Sequence, residues 1–311
     1  MRAAGFLLCL VAVASVLAQS GGISERIQHA LAASGEGEAA AQALAGRNFA
    51  RVAELLAATK ATSAAERAEL LSLRGAVWFL DGKMSASAVA FGEAAALAPL
   101  ADGDRFTLAM ALVKLGDDAR ARVQLENLAQ KTPAQALYLY WLGRLDYDQR
   151  RYQEAVAKLG KATQLDPRSA RAWDSLGLAF DMQGQREQAL SAFDKAVNLN
   201  RGQTHPSPWP PHDLGYLLLR MERPAEAEAA LRESLRYPPK PAQTHYYLGR
   251  ALEKEGRDTE AVEEYKSAVA ADTSSPDACY SLAMLYRKLH RGREAQAMFA
   301  EFRKRRQASS Q

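Results

Sequence analysis

From about residue 68 onward, large apolar side chains recur three and four positions apart, in runs broken by short polar or glycine-containing stretches. Trp173, Leu176 and Phe180 form one such run, and Leu190, Phe193 and Val197 form the next. That spacing gathers the apolar side chains on one face of an α-helix. It predicts one helix over about Ala170–Gln183 and a second over about Arg186–Leu199. Gly184 stands at the turn between them, where a left-handed cap closes the first helix.

The helix pair repeats. A Leu-Gly step occurs at Leu142-Gly143, Leu176-Gly177, Leu214-Gly215 and Leu248-Gly249, with the glycines 34, 38 and 34 residues apart. Extending this register gives seven units, beginning at Ala68, Asp102, Ala136, Ala170, Pro208, Ala242 and Pro276, with a four-residue insertion at Thr204–Ser207. The eighth position of each unit is always small (Gly75, Ala109, Gly143, Gly177, Gly215, Gly249, Ala283). So is the twentieth (Ser87, Ala121, Ala155, Ala189, Ala227, Ala261, Ala295). The twenty-fourth is always large and apolar: Phe91, Leu125, Leu159, Phe193, Leu231, Tyr265 and Phe299. Small residues such as Gly177 and Ala189 let two helix axes approach closely, and Phe180 and Phe193 fill the space beside the crossing. Replacing Gly177 by Leu would overpack it. One helix pair cannot bury both of its faces, so the units must stack.

This pattern resembles the tetratricopeptide repeat. Trp173, Leu176, Gly177, Phe180, Ala189, Phe193 and Ala196 occupy the family's signature positions, and Tyr152, Ala155, Ala162 and Pro167 add to them in the preceding unit. Arg74, Leu128, Arg201 and Phe302 depart from the pattern. The resemblance implies an all-α fold, a right-handed α-solenoid of stacked helix-turn-helix repeats over residues 68–309. Residues 19–67 lack the Leu-Gly register. Phe49–Leu56 nevertheless reads as the second helix of a degenerate half-repeat, preceded by a loop at Ser34–Gly37.

In that family, positions two, five, nine and twelve of each first helix line a concave groove. The resemblance therefore nominates Tyr140, Arg144 and Tyr147, then Arg171 and Asp174, then Trp209, His212 and Tyr216, then Tyr246 and Arg250, and finally Tyr280 and Arg287. A solvated wall is one reading of these residues. A surface that stacks a partner's peptide or helix on tyrosines while Arg144, Arg171 and Arg250 pair with its carboxylates is the other. The number of aromatics favours the second. The Lys/Asn carboxylate clamp of chaperone-binding relatives is not matched, because position five holds Tyr140, Asp174, His212, Tyr246 and Tyr280.

The chain opens with an address. Arg2 supplies a short positive region, Phe6–Ala14 an apolar run, and Val16-Leu17-Ala18 a small-residue cleavage site before Gln19. Residues 1–18 are expected to be a signal peptide, with an uncleaved anchor as the alternative, and the chain to be exported, periplasmic or extracellular. No second apolar run of spanning length follows.

Composition removes several function classes. The 311 residues carry 40 Lys+Arg against 36 Asp+Glu, a net charge of +4. Arg303, Lys304, Arg305 and Arg306 match that excess alone, so no basic stripe for nucleic acid runs along the chain. The basic tail is read instead as completing a helix C-terminus. With Cys9 in the leader, Cys279 remains alone, at a packing position and without a disulfide partner. No HExxH, CxxC, GxSxG or glycine-rich phosphate loop occurs. His205, His212 and His245 are read as surface histidines. No catalytic residue, metal or cofactor is expected, and a metal-dependent enzyme at those histidines is the weakest alternative. In the stretch Thr204–His212, four prolines predict an extended, stiff segment. Trp209 within it either contacts the partner or packs locally. At the other end, Met298 and Phe302 are expected to be partly exposed, which offers a self-associating structural subunit, a homodimer through the C-terminal end, as the rival function.

Overall fold

The computed structural model describes residues 22–272 and 274–308, so the expected leader at residues 1–18 lies outside the described residues. Within them are 17 α-helices and no strand. The fold is an α-solenoid of helix-turn-helix repeats. The chain packs as two units that divide between Leu145 and Asp146.

The first unit contains α1 (Ile23–Leu31), α2 (Gly37–Ala45), α3 (Phe49–Ala58), α4 (Ala64–Leu80), α5 (Met84–Leu97), α6 (Asp102–Leu115), α7 (Asp118–Lys131) and most of α8 (Ala136–Asp148). Short polar side chains start several of these helices. Asn48, Ser63 and Asp117 accept from the backbone N–H groups of Arg51, Glu66 and Arg120, satisfying donors that a helix leaves open at its first turn. The core is built on Phe79, Phe91, Phe106, Met110 and Leu125, all buried. A neighbouring cluster joins Ile27 and Leu31 of α1 to Leu56, Leu73 and Val77. Arg26 then ties α1 to the first helices. Its Nη1 and Nη2 donate to Asp104 Oδ1 and Oδ2 at 2.9 and 2.8 Å, and its Nε donates to Glu69 at 3.1 Å.

The second unit contains α9 (Tyr152–Leu165), α10 (Ala170–Met182), α11 (Arg186–Arg201), α12 (Trp209–Arg220), α13 (Pro224–Ser234), α14 (Ala242–Lys254), α15 (Asp258–Ala271), α16 (Asp277–Lys288) and α17 (Gly292–Ala308). Phe193, Leu217, Leu231, Leu252, Tyr265 and Leu285 fill its core. The small eighth position meets the large twenty-fourth face to face. A Cβ added to Gly177 would stand 2.7 Å from the Phe193 ring, and one added to Gly249 would stand 2.7 Å from the Tyr265 ring. Glycine here is a condition of the helix crossing.

One backbone feature marks every hairpin. Arg47, Gly82, Gly116, Arg150, Gly184, Glu222, Gly256 and His290 all have φ between +55° and +76°. From Gly82 on, they fall at the fifteenth position of each seven-unit register, 34 residues apart except across the insertion. Four of the eight are not glycine, although a Cβ disfavours this conformation. Tertiary packing imposes the turn, and glycine only eases it.

Candidate functional site

The chemistry-bearing side chains of the second unit concentrate on α12 and α14. Asn200 sets where α12 begins: its side chain donates to Ser207 O and accepts from Ser207 N, both at 2.8 Å, clamping the ends of the insertion. Ser207 Oγ then accepts from Trp209 N at 3.3 Å. Pro210 and Pro211 occupy the first turn of α12, which corrects the extended segment expected from the four prolines. Proline fits there because the N–H groups of a first turn have no intrahelical partner to lose and its fixed φ suits the helix.

His212 is also corrected. It is 5% exposed, with Nδ1 2.8 Å from Thr244 Oγ1, and so presents neither to solvent nor to a partner. Burial pushes its pKa down to about 4. Trp209 packs edge-on against this ring at 5.5 Å and stays half-buried.

Next to His212 the tyrosines form a continuous group. The ring of Tyr247 lies 5.5 Å from His212, 4.8 Å from Tyr216 and 5.4 Å from Tyr246. Tyr216, Tyr246 and Tyr247 are all half-buried. Burial, reinforced by the neighbouring Tyr216 and Tyr246 hydroxyls, pushes the Tyr247 pKa up to about 12, so the phenol stays protonated and able to donate. Guanidinium groups flank the cluster. The Arg220 guanidinium carbon sits 5.5 Å from the Tyr216 ring centroid, and that of Arg250 sits 5.9 Å from the Tyr246 ring. Arg220 is also paired with Asp181. Sequence reasoning named Tyr216, Tyr246 and Arg250 but missed Tyr247 and Arg220, which fall at positions six and thirteen. The adjacent Tyr246-Tyr247 pair was the available signal.

The other nominated residues do not join this group. Tyr280 is 46% exposed and lies 5.3 Å from the tilted Phe302 ring and 6.1 Å edge-on from Phe299, forming a separate aromatic patch, while the half-buried Met298 packs on the core of the second unit. Arg287 and Arg171 are exposed and Asp174 is half-buried. Tyr147 packs edge-on against Tyr152 at 5.6 Å. Tyr140 and Arg144 belong to the first unit, where Tyr140 stands edge-on to Trp141 at 5.3 Å.

The basic tail completes its own helix, with Arg305 and Arg306 in the last turn of α17, and also reaches a second one. Arg305 is 8% exposed, and its Nη1 donates to Asp272 O at 2.6 Å and to Val269 O at 3.3 Å. It closes the C-terminal end of α15, where orphan carbonyls attract a cation. Cys279 is buried, which raises its thiol pKa. His245 Nδ1 is 2.7 Å from Glu264, and His205 is exposed. Among the described residues no three His, Cys, Asp or Glu side chains stand together as metal ligands, and no helix is long and apolar enough to cross a membrane.

Comparison with known proteins gives concordant results. Tetratricopeptide repeat family models match residues 106–157 and 212–276, and again 170–203, and a TPR repeat model matches 143–184, together more than half of the chain. Superkiller complex protein 3 of Mus musculus is 35% identical over 95 residues, covering 30% of this chain and 6% of that protein. The cytochrome c-type biogenesis protein CycH of Rhizobium meliloti (strain 1021) is 27% identical over 128 residues, 40% of this chain and 32% of that protein. The matched stretches are thus minor parts of both relatives. Among solved structures, a tetratricopeptide repeat protein from Parabacteroides merdae ATCC 43184 superposes with a TM-score of 0.63 at 15% identity, over 84% of this chain and 99% of that one. A chain of the APC/C Cut9-Hcn1 hetero-tetramer gives 0.53 at 17% identity, over 81% and 48%.

Proposed function

The chain belongs to the tetratricopeptide repeat family, and from that premise we propose that it is a non-enzymatic protein-interaction scaffold of the cell envelope. It holds a peptide or helix of a partner on the first-helix face of its second unit. The observation that carries this reading is the tyrosine group of α12 and α14, three half-buried rings 4.8–5.4 Å apart with a guanidinium at either side. Tyrosine adds contact area at small entropic cost, and clustered Tyr and Arg are the residue types that dominate binding energy at interfaces. The apolar leader of the sequence supports an exported protein, as does the likeness to a cytochrome c-type biogenesis protein.

Crosslinking and pull-down from the native envelope tests the proposal. Tyr216→Ala combined with Tyr246→Ala is expected to abolish partner capture while helical circular dichroism is retained. Undiminished capture by that variant would overturn the reading.

The patch of Tyr280, Phe299 and Phe302 supports a second reading, self-association through the C-terminal end. Light scattering separates the two: a dimer lost on Phe302→Asp favours self-association, whereas a monomer in both forms excludes it.

A further inference from the structure

The first unit covers its own first-helix face. α1 (Ile23–Leu31) precedes the first hairpin, which α2 and α3 form across the left-handed turn at Arg47. It lies across the first helices. It packs on α2 and α4, Ile23 reaches the cluster that holds Phe106 and Met110, and Arg26 bridges Glu69 of α4 and Asp104 of α6. Ile23, Arg26, Ile27 and Leu31 share one helical face, at the spacing with which a helix presents its anchors to a groove. The guanidinium meets Asp104 through two parallel bonds of 2.9 and 2.8 Å, the fork geometry of a strong carboxylate pair. Asp104 is 1% exposed beneath it. A segment outside the repeats thus sits on this face as a docked ligand would.

The seat is a loose one. A helix of nine residues does not persist alone in water, so the face is what keeps α1 folded. Ile27 and Leu31 are its buried side chains, and their burial must offset the ordering of the whole segment. On one side α1 stands off α4. A cavity of about 580 Å³ opens there between Glu25, His29 and Ala30 of α1 and Glu66, Glu69 and Leu70 of α4. Residues 32–36, which join α1 to α2, are all exposed, and Gly35 holds φ +75° with nothing near the place of a Cβ.

We propose that α1 is a detachable cover, an intramolecular occupant of this face that a partner displaces, and that the displacing segment is an amphipathic helix carrying an arginine among aliphatic side chains. The charge follows from what α1 leaves behind. When Arg26 withdraws, Asp104 and Glu69 remain to be matched, and a buried carboxylate without its cation is costly, so a neutral or acidic segment does not replace α1. This surface lies wholly in the first unit and does not depend on the tyrosine group of the second.

The probe is a fluorescein-labelled peptide of residues 22–32, titrated into the full chain. Wild type, whose tethered α1 holds the face, is expected to bind it about tenfold or more weakly than Ile27→Asp, whose α1 is unseated. Circular dichroism checks that the variant keeps its helices. Asp104→Asn added to that chain, or Arg26→Glu in the peptide, should each weaken binding by about tenfold. Tyr216→Ala with Tyr246→Ala should change nothing. Hydrogen exchange on wild type needs no variant: α1 is expected to open by itself while α4 and α6 stay protected. Equal binding to both chains, binding to neither, undiminished binding of the Arg26→Glu peptide, or exchange of α1 only together with α4 and α6 overturns the proposal. A wild-type dimer that Asp104→Asn abolishes would give the face to α1 of a second copy, and overturns the intramolecular reading.

Discussion

In the first unit, the side chains at positions five and nine of the first two repeats are Ser72, Ala76, Phe106 and Met110, and all four are buried. In the second unit, Asp174, Leu178, Tyr216, Tyr246, Arg250 and Met284 hold the corresponding positions half-buried, Tyr280 is exposed, and His212 is buried. The same helical register thus produces a sealed face in the first two repeats and, His212 apart, a more open one in the second unit. Two things close the first. Its residues are small or purely apolar, and α1 adds further cover: Ile23 packs on the cluster that holds Phe106 and Met110, while Arg26 grips Asp104. The second face carries phenols and guanidinium groups that keep one end in water. Recognition in a repeat array is set by what fills the wall positions, and the helix pairs themselves are alike in both units.

The largest expected effect breaks the closed side. Asp104 is 1% exposed, and Arg26→Ala leaves its carboxylate without its guanidinium partner. Losing one member of such a pair costs about 3–5 kcal/mol. Urea unfolding with hydrogen exchange should show that loss, with faster exchange in α1, α4 and α6. Unaltered protection there would show that α1 is not what closes the face.

The open side should instead respond to acid. His212 has a pKa of about 4 in the folded chain against an ordinary 6.5, because burial penalises its charged form. Above pH 6.5 the ring is neutral whether folded or unfolded. Between 6.5 and 4 the unfolded chain takes up a proton that the folded chain refuses, so stability falls as pH falls, by up to about 1.4 kcal/mol per pH unit. Below that window the contribution levels off. Denaturation of wild type and His212→Gln across this range checks the sign, and parallel slopes would exclude His212 as the source.

The smallest effect concerns a feature the two units share. His290 holds φ +59° without being glycine. His290→Gly should raise stability by about 0.5–1 kcal/mol, the strain relieved less the added freedom of the unfolded chain. Thermal melts would register it, and a lower melting temperature would mean that the imidazole makes a contact worth more than the strain.

The repeat was legible because it is carried by sizes at fixed intervals. Gly177 against Phe193 is a contact that could be read from spacing alone, and the structure places a would-be Cβ 2.7 Å from that ring. What escaped depends on three-dimensional neighbours. Proline suggests an extended chain when its partners are unknown, yet Pro210 and Pro211 open a helix once Asn200 has fixed Ser207. His212 looks like a surface histidine until Thr244 is brought beside it. Tyr247 lay outside the positions the family resemblance points to, and joins the site because its ring bridges two that did not. Arg305 reads as one charge in a basic tail, while its carbonyl partners Val269 and Asp272 lie more than thirty residues away.

The left-handed turns have a practical consequence. All eight lie exposed at the tips of their hairpins, and half of them already carry a charged or ionisable side chain on a backbone path that packing dictates. They are attachment points spaced along the solenoid: a cysteine or a fluorophore placed at any of them would mark its hairpin without entering the core.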